Sequence, residues 1–365
     1  MEPGGDAVSS AREAHPRESA ELLAAAPAEL EQLLQSWGEP RYRGRQLFEW
    51  LHRRMVVDPE QMTNLPGDLR ARLATEGGLS PVRAAETLRS ADGTRKIRIA
   101  LADGRAVETV LIPEGDKLTQ CISSQVGCAV RCEFCRSGSA GLVRNLNAAE
   151  IVGQIHAARA SFLPGERLRN VVFMGVGEPL HNLPRVLRAL EILGHPSGMD
   201  LSSRRVTVST VGIPRGIDRL GEATGGRASL AVSLHAADDR TRRRLVPGAR
   251  APLAEIADAL RRYPLPRRRR FTIEYVLVRG VNDSDRAARD LVKLLEGVPS
   301  KVNLLPLNPH DRTELEPPSQ QRVESFQQQL VSRGISVFAR KRRGADIGAA
   351  CGQLLHLDPG DSKRP

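Results

Sequence analysis

Three of the five cysteines in the chain stand close together in Cys128-Ala-Val-Arg-Cys132-Glu-Phe-Cys135, at CxxxCxxC spacing. Three thiolates on a short loop can bind three irons of a [4Fe–4S] cluster and leave the fourth iron open for a ligand. A structural zinc site needs four protein ligands, and no histidine lies nearer to this loop than His156. The spacing therefore favours an iron–sulfur cluster with one open iron over a zinc knuckle.

Two cysteines remain outside this loop: Cys121 lies upstream of it, and Cys351 lies near the C-terminus. A carboxylate, Glu108, shares one face of a predicted strand with Val110 and Ile112, because side chains alternate along a strand. Among apolar neighbours, such a group either forms an ion pair on an edge strand or has a raised pKa and serves as a base. The spacing leaves both interpretations open.

The composition restricts the class of protein. The 365 residues include 54 basic and 43 acidic side chains, a formal net charge of +11. This excess favours a polyanionic partner such as nucleic acid, although an arginine-rich composition alone would also produce it. An odd number of unevenly placed cysteines is not typical of a secreted disulfide framework. We find neither an apolar run of about 20 residues nor a signal peptide, and we therefore expect a cytoplasmic protein that does not enter a membrane.

The elements that must position these residues fall into five predicted regions. They are a disordered tail at 1–18, a helical RNA-binding domain at 19–90, a β-hairpin linker at 91–116, a β/α domain at 117–355 and a flexible tail at 356–365. The helical region has a basic face that suits backbone contact with RNA, and a solvated helix face would explain it equally well. Its basic residues are Arg41, Arg43, Arg45, Arg53 and Arg54.

Strands and helices alternate about six times beyond residue 117, which predicts a parallel sheet with right-handed crossovers. Six units are too few for a closed eight-stranded barrel, so we expect a partial (β/α)6 barrel, with a doubly wound sheet as the alternative. Polar residues follow the predicted strands at the end where such folds bind ligands. They are Gly177, Glu178, Ser209, Ser233, His235 and Asn308. Of these, Glu178 can pair with a ligand ammonium group.

These motifs resemble the radical S-adenosylmethionine superfamily and, within it, the 23S rRNA adenine C2-methyltransferases. The resemblance runs from about residue 30 to 355. Its most specific stretches are Cys121-Ile-Ser-Ser-Gln-Val-Gly-Cys128, Met174-Gly-Val-Gly-Glu-Pro, Ser233-Leu-His, Lys301-Val-Asn-Leu-Leu-Pro and Arg343-Gly-Ala-Asp-Ile-Gly-Ala-Ala-Cys351. It implies a radical-SAM partial barrel preceded by a small helical RNA-binding domain.

The resemblance also implies a role for each site residue. Three cysteines would bind the [4Fe–4S] cluster: Cys128, Cys132 and Cys135. Seven residues would hold S-adenosylmethionine: Gly177, Glu178, Ser209, Ser233, Leu234, His235 and Asn308. Cys351 would carry a methyl group as S-methylcysteine, Glu108 would accept the C2 proton, and Cys121 would release the covalent adduct by forming a disulfide. Arginines 340, 342 and 343 lie close enough in sequence to lower the pKa of the Cys351 thiol.

The implied partners are 23S rRNA, the anticodon loop of some tRNAs, and an electron donor such as flavodoxin, and we expect a monomer. The chain departs from the family in the stretch His310-Asp-Arg-Thr after Asn308. Because this loop faces the substrate, the choice of RNA and the choice between C2 and C8 of adenine stay open. A non-catalytic iron–sulfur RNA-binding protein is a further alternative, but it would need neither Cys121 nor Glu108 nor Cys351.

Overall fold

The computed structural model describes residues 19–75, 79–139, 141–311 and 313–357. The predicted tail at 1–18 lies outside these residues, as do residues 358–365 of the second predicted tail. None of the helices in the described part of the chain is long and apolar enough to span a membrane.

The chain begins with a small helical unit. After a 3-10 helix at Ser19–Ala24 come α1 (Pro27–Ser36), α2 (Tyr42–Phe48, continued by a wider helical turn at Glu49–Arg53), a 3-10 turn at Pro59–Gln61 and α3 (Gly67–Thr75). Leucines at helical spacing are fully buried between these helices, among them Leu30, Leu34, Leu47 and Leu51. The predicted basic face is partly paired within the unit, because Glu31 accepts from Arg41 and Arg45 at 2.5 and 2.6 Å.

An antiparallel part of the sheet follows the helical unit. It consists of β1 (Val82–Arg89), β2 (Arg95–Leu101), β3 (Ala106–Glu114) and β4 (Lys117–Cys121). The predicted helical region therefore ends before β1, whose mostly exposed side chains gave no clear alternation. The predicted hairpin is present as β2 and β3. It is not a linker, because β3 pairs with β2 on one side and β4 on the other within one sheet.

The remaining elements alternate along the chain. They are β5 (Gln125–Gly127), β6 (Leu142–Asn145), α4 (Ala148–Ala158), β7 (Arg167–Phe173), α5 (Leu183–Gly194), β8 (Val206–Thr210), α6 (Pro214–Thr224), β9 (Ser229–Ser233), α7 (Asp239–Leu245), α8 (Leu253–Arg262), β10 (Phe271–Leu277), α9 (Asp285–Leu294), β11 (Ser300–Pro306), α10 (Gln320–Val331), β12 (Ser336–Ala339) and β13 (His356–Leu357). A capping box begins α4, since Asn147 and Glu150 each accept the other's backbone N–H.

The strand order confirms the partial barrel. Within the main sheet, β4, β7, β8, β9, β10, β11 and β12 are neighbours in that order and run parallel. Six strand–helix units thus lead to a final strand. A doubly wound sheet would reverse its strand order at a switch point, and this sheet does not. All the crossovers therefore lie on one face, and the other face lines the interior of the barrel.

The C-terminal segment returns across the sheet after β12. Its strand β13 pairs antiparallel with β3, with His356 opposite Val107 and Leu357 opposite Ala106. The predicted flexible tail is therefore wrong for its first two residues, which the β3 edge holds by backbone hydrogen bonds. This return brings residues 340–355 over the interior face of β3 and β4.

Candidate active site

Most of the predicted site residues line one cavity at the carboxyl ends of the parallel strands. The cavity has a volume of about 960 Å³ including its open mouth. The predicted residues in its wall are Cys128, Cys132, Cys135, Gly177, Glu178, Ser209, Ser233, His235, Asn308 and Cys351. They come from loops spread over more than 200 residues of sequence. Three other predicted residues, Glu108, Cys121 and Leu234, do not line this cavity.

The cysteine loop lies between β5 and β6 and is fixed by backbone hydrogen bonds. Within the loop, the Cys135 N–H donates to the Cys132 carbonyl at 3.0 Å. From outside, the Gly248 N–H donates to the Val130 carbonyl at 2.8 Å, and the Arg136 N–H donates to the Gly352 carbonyl at 2.7 Å. The loop is therefore held against both the β9–α8 connection and the C-terminal segment.

The three thiols of this loop are suited to a cluster. Burial raises the pKa of Cys132 well above its usual value, and the nearby Cys135 and Cys128 raise it further. Three thiolates this close repel one another, and binding to iron relieves that repulsion. Among the described residues, no three ligating side chains converge on a point that could hold a single metal ion. A [4Fe–4S] cluster does not need its ligands to converge on one point, because each thiolate binds a different iron.

An apolar shell surrounds the thiols. The buried side chains of Val130, Phe134, Leu245 and Val246 form a cluster against which all three cysteines pack. Such a shell restricts water around a cluster and influences its reduction potential. The donor set and its surroundings therefore fit a [4Fe–4S] cluster.

Gly177 and Glu178 follow β7 and form one corner of the cavity. Gly177 has a φ of +111°, and a Cβ added to it would lie 2.7 Å from the Gln125 side chain. The Glu178 carboxyl accepts the N–H groups of Leu180 at 2.9 Å and Val211 at 2.8 Å. Burial raises the pKa of Glu178 to about 6, so it is mostly ionised at neutral pH. This corner can hold a cationic group close to the backbone.

The ends of β8 and β9 supply the next wall. The hydroxyl oxygens of Ser209 and Ser233 lie 3.5 Å apart. Burial lowers the pKa of His235 to about 3, and its Nδ1 accepts the Val276 N–H at 3.0 Å. The imidazole is therefore neutral with its proton on Nε2. Leu234 is buried in the main core instead, and its N–H donates to the Glu274 carbonyl at 3.1 Å.

Cys351 lies on the opposite wall and is accessible from the cavity. The Asn308 side-chain amide donates to the Cys351 carbonyl at 3.0 Å, so the two predicted residues meet. The Asn308 Oδ1 atom has no hydrogen-bond partner among the described residues. Burial raises the pKa of the Cys351 thiol, and Arg340 opposes this rise without cancelling it. Arg340 thus acts in the expected direction, and burial outweighs its effect.

Cys121 and Glu108 lie beside the cavity on the interior face of β3 and β4. Cys121 is opposite Val110 in the sheet and packs with Ala349 and Leu354 of the C-terminal segment. Burial raises the pKa of Cys121 to about 12, and the nearby Cys351 adds to that rise. The two cysteines are thus close enough to interact electrostatically, although the sequence separates them widely.

Glu108 forms an ion pair on a strand that has neighbours on both sides. One carboxylate oxygen lies 3.0 Å from Lys96 Nζ, and the other accepts the Leu355 N–H at 2.8 Å. The Lys96 ammonium also donates to the Gly348 carbonyl at 3.3 Å. Of the two interpretations of Glu108, the ion pair is thus present. It ties this carboxylate to the segment that carries Cys351.

Two buried charged residues around the cavity escaped the sequence analysis. Arg242 donates to the carbonyls of Val211, Ser233 and Leu234 and so fixes the ends of β8 and β9. Its sequence context, a run of three arginines, does not indicate which one is buried. Glu274 lines the cavity from β10. A carboxylate in an otherwise apolar strand could have identified Glu274, but this signal was applied to Glu108 alone.

Comparison with known proteins matches both parts of this architecture. Residues 122–292 match the radical SAM superfamily, and residues 20–77 match the ribosomal RNA large subunit methyltransferase N-terminal domain. A dual-specificity RNA methyltransferase RlmN from Sorangium cellulosum is 50% identical and covers 92% of this chain and 95% of its own length. The RlmN of Geobacter sulfurreducens is 48% identical, with 89% of each chain covered.

A solved structure is similar over nearly the whole fold. The crystal structure of a radical SAM methyltransferase from Sphaerobacter thermophilus superposes with a TM-score of 0.87 at 46% sequence identity. The similarity covers 91% of this chain and 98% of that one. The similarity therefore includes most of the helical unit and most of the sheet.

Proposed function

Since the chain belongs to the RlmN family of radical SAM RNA methyltransferases, we propose that it methylates C2 of an adenine in 23S rRNA, with the anticodon loop of some tRNAs as a second substrate. One observation carries the proposal of a methylcysteine route. Cys351, contributed by the far end of the chain, lines the same cavity as the cysteine loop and interacts with Cys121.

The cofactors of the family are a [4Fe–4S] cluster and S-adenosylmethionine. When bound, they supply a methyl group and a 5′-deoxyadenosyl radical. Cys128, Cys132 and Cys135 would hold the cluster. Glu178 would pair with the ammonium group of S-adenosylmethionine. The adjacent Gly177 has no side chain, so the ligand can come close to the backbone there. Ser209, Ser233, His235 and Asn308 present hydroxyl, imidazole and amide groups to the same cavity, and we assign them to the rest of this molecule.

The chain's own residues would carry the methyl group and release the product. C2 of adenine is electron-poor, so a polar methyl transfer to it is unfavourable. The Cys351 thiolate would first attack the methyl carbon of one S-adenosylmethionine, so that S-adenosylhomocysteine leaves and Cys351 becomes S-methylcysteine. After this methyl group gives up a hydrogen atom to the radical, its carbon would bond to C2 and join protein to RNA. The resulting adduct would return one electron to the cluster before the C2 proton is lost. Arg340 lies beside Cys351 and would stabilise the thiolate before methylation.

Release would use Glu108 and Cys121. Glu108 would take the C2 proton, and its ion pair with Lys96 keeps the carboxylate near the Cys351 segment. Cys121 would then attack the Cys351 sulfur, so that a disulfide forms while the carbon–sulfur bond to the methylated base breaks. Burial disfavours the Cys121 thiolate, and Arg340 lies near enough to favour it. An external reductant must restore both thiols, and an electron donor such as flavodoxin would reduce the cluster.

The helical unit and the positive charge of the chain fit an RNA substrate. Arg53 and Arg54 are exposed on this unit, and Tyr42 exposes 52% of its surface next to Arg43. Basic side chains bind phosphates, and exposed aromatic rings can stack on bases. We therefore assign RNA docking to this helical unit, residues 19–75, in a cytoplasmic enzyme that acts as a monomer.

The test is to trap the covalent adduct. Cys121→Ala should still load a methyl group on Cys351 and still join RNA, but it should stall as a protein–RNA conjugate on a denaturing gel. Cys351→Ala should give no conjugate, because no methyl group is loaded. Nucleoside mass spectrometry of RNA treated with the unaltered protein should show 2-methyladenosine. Normal turnover by Cys121→Ala, or methylation at C8, would contradict the proposal.

A further inference from the structure

Glu274 is a buried carboxylate that faces the cavity with one oxygen unpaired. The side chain lies on β10 and is 5% exposed. Its Oε1 accepts the Asn303 side-chain amide at 3.0 Å, while its Oε2 has no hydrogen-bond partner among the described residues. Asn303 thus fixes the orientation of the carboxyl and leaves one acceptor directed to the ligand space.

A buried carboxyl oxygen without a donor is unfavourable, and proteins seldom retain one unless a ligand or a water supplies the donor. Glu274 lines a cavity that a ligand can enter. Burial also raises the pKa of Glu274, and Arg340, Asn303 and Lys301 oppose this rise without cancelling it. A ligand that brings an N–H or O–H group would therefore gain a hydrogen bond at this position.

Glu274 lies level with Ser233 of the neighbouring strand β9, and it also acts electrostatically on Cys351. Val276, two residues further along β10, reaches the rim, where its N–H bonds to His235. Glu274 lies roughly 7 Å deeper along the strand, at about 3.3 Å per residue. Arg340 acts electrostatically on both Glu274 and Cys351. The unpaired oxygen is thus on the side of the methyl-carrying cysteine, where the RNA base must approach.

We propose that Glu274 accepts a hydrogen bond from the exocyclic amino group of the target adenine and so selects adenine over guanine. This inference rests on the proposed function. A carboxylate repels phosphate, so it suits a base edge and not the RNA backbone. Adenine presents an N–H donor at C6, whereas guanine presents a carbonyl oxygen there, which would face Glu274 as a second acceptor. Contact at the C6 group also leaves C2 free to meet Cys351.

The experiment removes the amino group from the RNA and the acceptor from the protein. The RNA is a synthetic hairpin whose modified adenosine has been identified by nucleoside mass spectrometry, and a second hairpin carries purine riboside at that position. The proteins are the reconstituted parent, Glu274→Gln, Glu274→Ala and the control Glu296→Gln, which changes an exposed carboxylate at the end of α9. The measured quantity is kcat/KM for each pair.

In the parent and in the control, loss of the amino group should lower kcat/KM roughly tenfold to a hundredfold, the range for one hydrogen bond to a charged group. In Glu274→Ala, this penalty should be smaller than in the parent by roughly tenfold to a hundredfold. Purine riboside also has a different intrinsic reactivity at C2. That difference is the same for every protein, so it cancels when the ratios are compared. A penalty that persists unchanged in Glu274→Ala would overturn the inference.

The amino and hydroxyl groups of S-adenosylmethionine are the other possible donors. Methyl loading of Cys351, read as a mass increase of the protein without RNA, tests them, because this step involves no base. Loading should not fall in Glu274→Gln, because loss of the Glu274 charge removes one of the effects that raise the pKa of Cys351. Retained loading also verifies that this isosteric variant is folded. If loading falls in parallel with RNA methylation, the donor belongs to S-adenosylmethionine and the inference is wrong. If the parent methylates no adenine at all, the proposed function itself fails.

Discussion

Gly177 tests whether the cavity depends on a backbone conformation that only glycine tolerates. We expect Gly177→Ala to weaken both the fold and the binding of S-adenosylmethionine. The residue has a φ of +111°, and its new Cβ would lie 2.7 and 2.8 Å from two carbons of Gln125 and 2.8 Å from Ser124 Oγ. Real Cβ atoms do not approach other atoms so closely, so Gln125 must move. Its Oε1 accepts the Glu178 N–H at 2.8 Å, and this displacement would therefore reach Glu178.

Two terms set the magnitude of the change in unfolding free energy. A non-glycine residue in a sparsely populated backbone region costs about 1–3 kcal/mol. Overpacking a tight interior costs about 1–3 kcal/mol more. The sum is about 2–6 kcal/mol. It does not include any change in the affinity for S-adenosylmethionine. Each 1.4 kcal/mol lost from ligand binding weakens affinity about tenfold, so a displaced Glu178 should reduce affinity for S-adenosylmethionine by at least about tenfold.

Gly165→Ala is the matched control. Gly165 also has a positive φ, +82°, but an added Cβ would meet nothing within 4 Å. It should therefore cost only the backbone strain, about 1–2 kcal/mol, and leave ligand affinity unchanged. Urea unfolding gives the stabilities, and equilibrium binding to the reconstituted protein gives the affinities. If both variants lose the same stability and both bind S-adenosylmethionine normally, the argument from the close approach of Gln125 is refuted.

Three further outcomes are expected. Cys132→Ala should lose most of its iron and its visible absorption after anaerobic reconstitution, because two thiolates cannot hold the cluster; full retention would contradict the ligand assignment. Arg242→Met should lower the free energy of unfolding by about 3 kcal/mol, because three strand-end carbonyls lose their donor; urea unfolding measures it, and a change below about 0.5 kcal/mol would contradict this. Burial lowers the pKa of His52 and His156 well below 6.5, so only the unfolded state takes up their protons as the pH falls from 6.5. The free energy of unfolding should therefore fall by roughly 2.7 kcal/mol per pH unit because of these two groups. Between pH 6 and 5, the double variant His52→Leu/His156→Leu should lose roughly 2.7 kcal/mol less than the parent protein.

The barrel itself could be predicted from sequence because its signals are local. Apolar runs of strand length alternate with helical patterns, and polar residues end the strands. The same local reasoning brought Glu178, Ser209 and His235 to one edge, since the carboxyl ends of parallel strands meet there. Leu234 was assigned through the resemblance alone. Its neighbours in sequence line the cavity, whereas alternation along the chain turns its own side chain into the core.

What depends on long-range pairing could not be predicted in the same way. Strand β1 has mostly exposed side chains and so lacks a clear apolar alternation; its place is set by pairing with β2. The run of three arginines does not show that Arg242 is the buried one, because its burial depends on three carbonyls at the ends of β8 and β9. The net pKa of Cys351 depends on how much protein surrounds the cavity, which no count of nearby arginines can give.

The placement of Cys351 shows how the two halves of the proposed reaction are connected. The proposed cluster ligands belong to a loop at the rim of the barrel, whereas Cys121 and Glu108 belong to the β3–β4 pair. The C-terminal segment contacts both, since its Gly352 carbonyl accepts from Arg136 beside the cysteine loop and its Leu355 N–H donates to Glu108. Pairing of β13 with β3 then fixes the end of this segment. Cys351 is therefore positioned by the two sites it must serve, and loosening either contact should affect methyl loading and adduct release together.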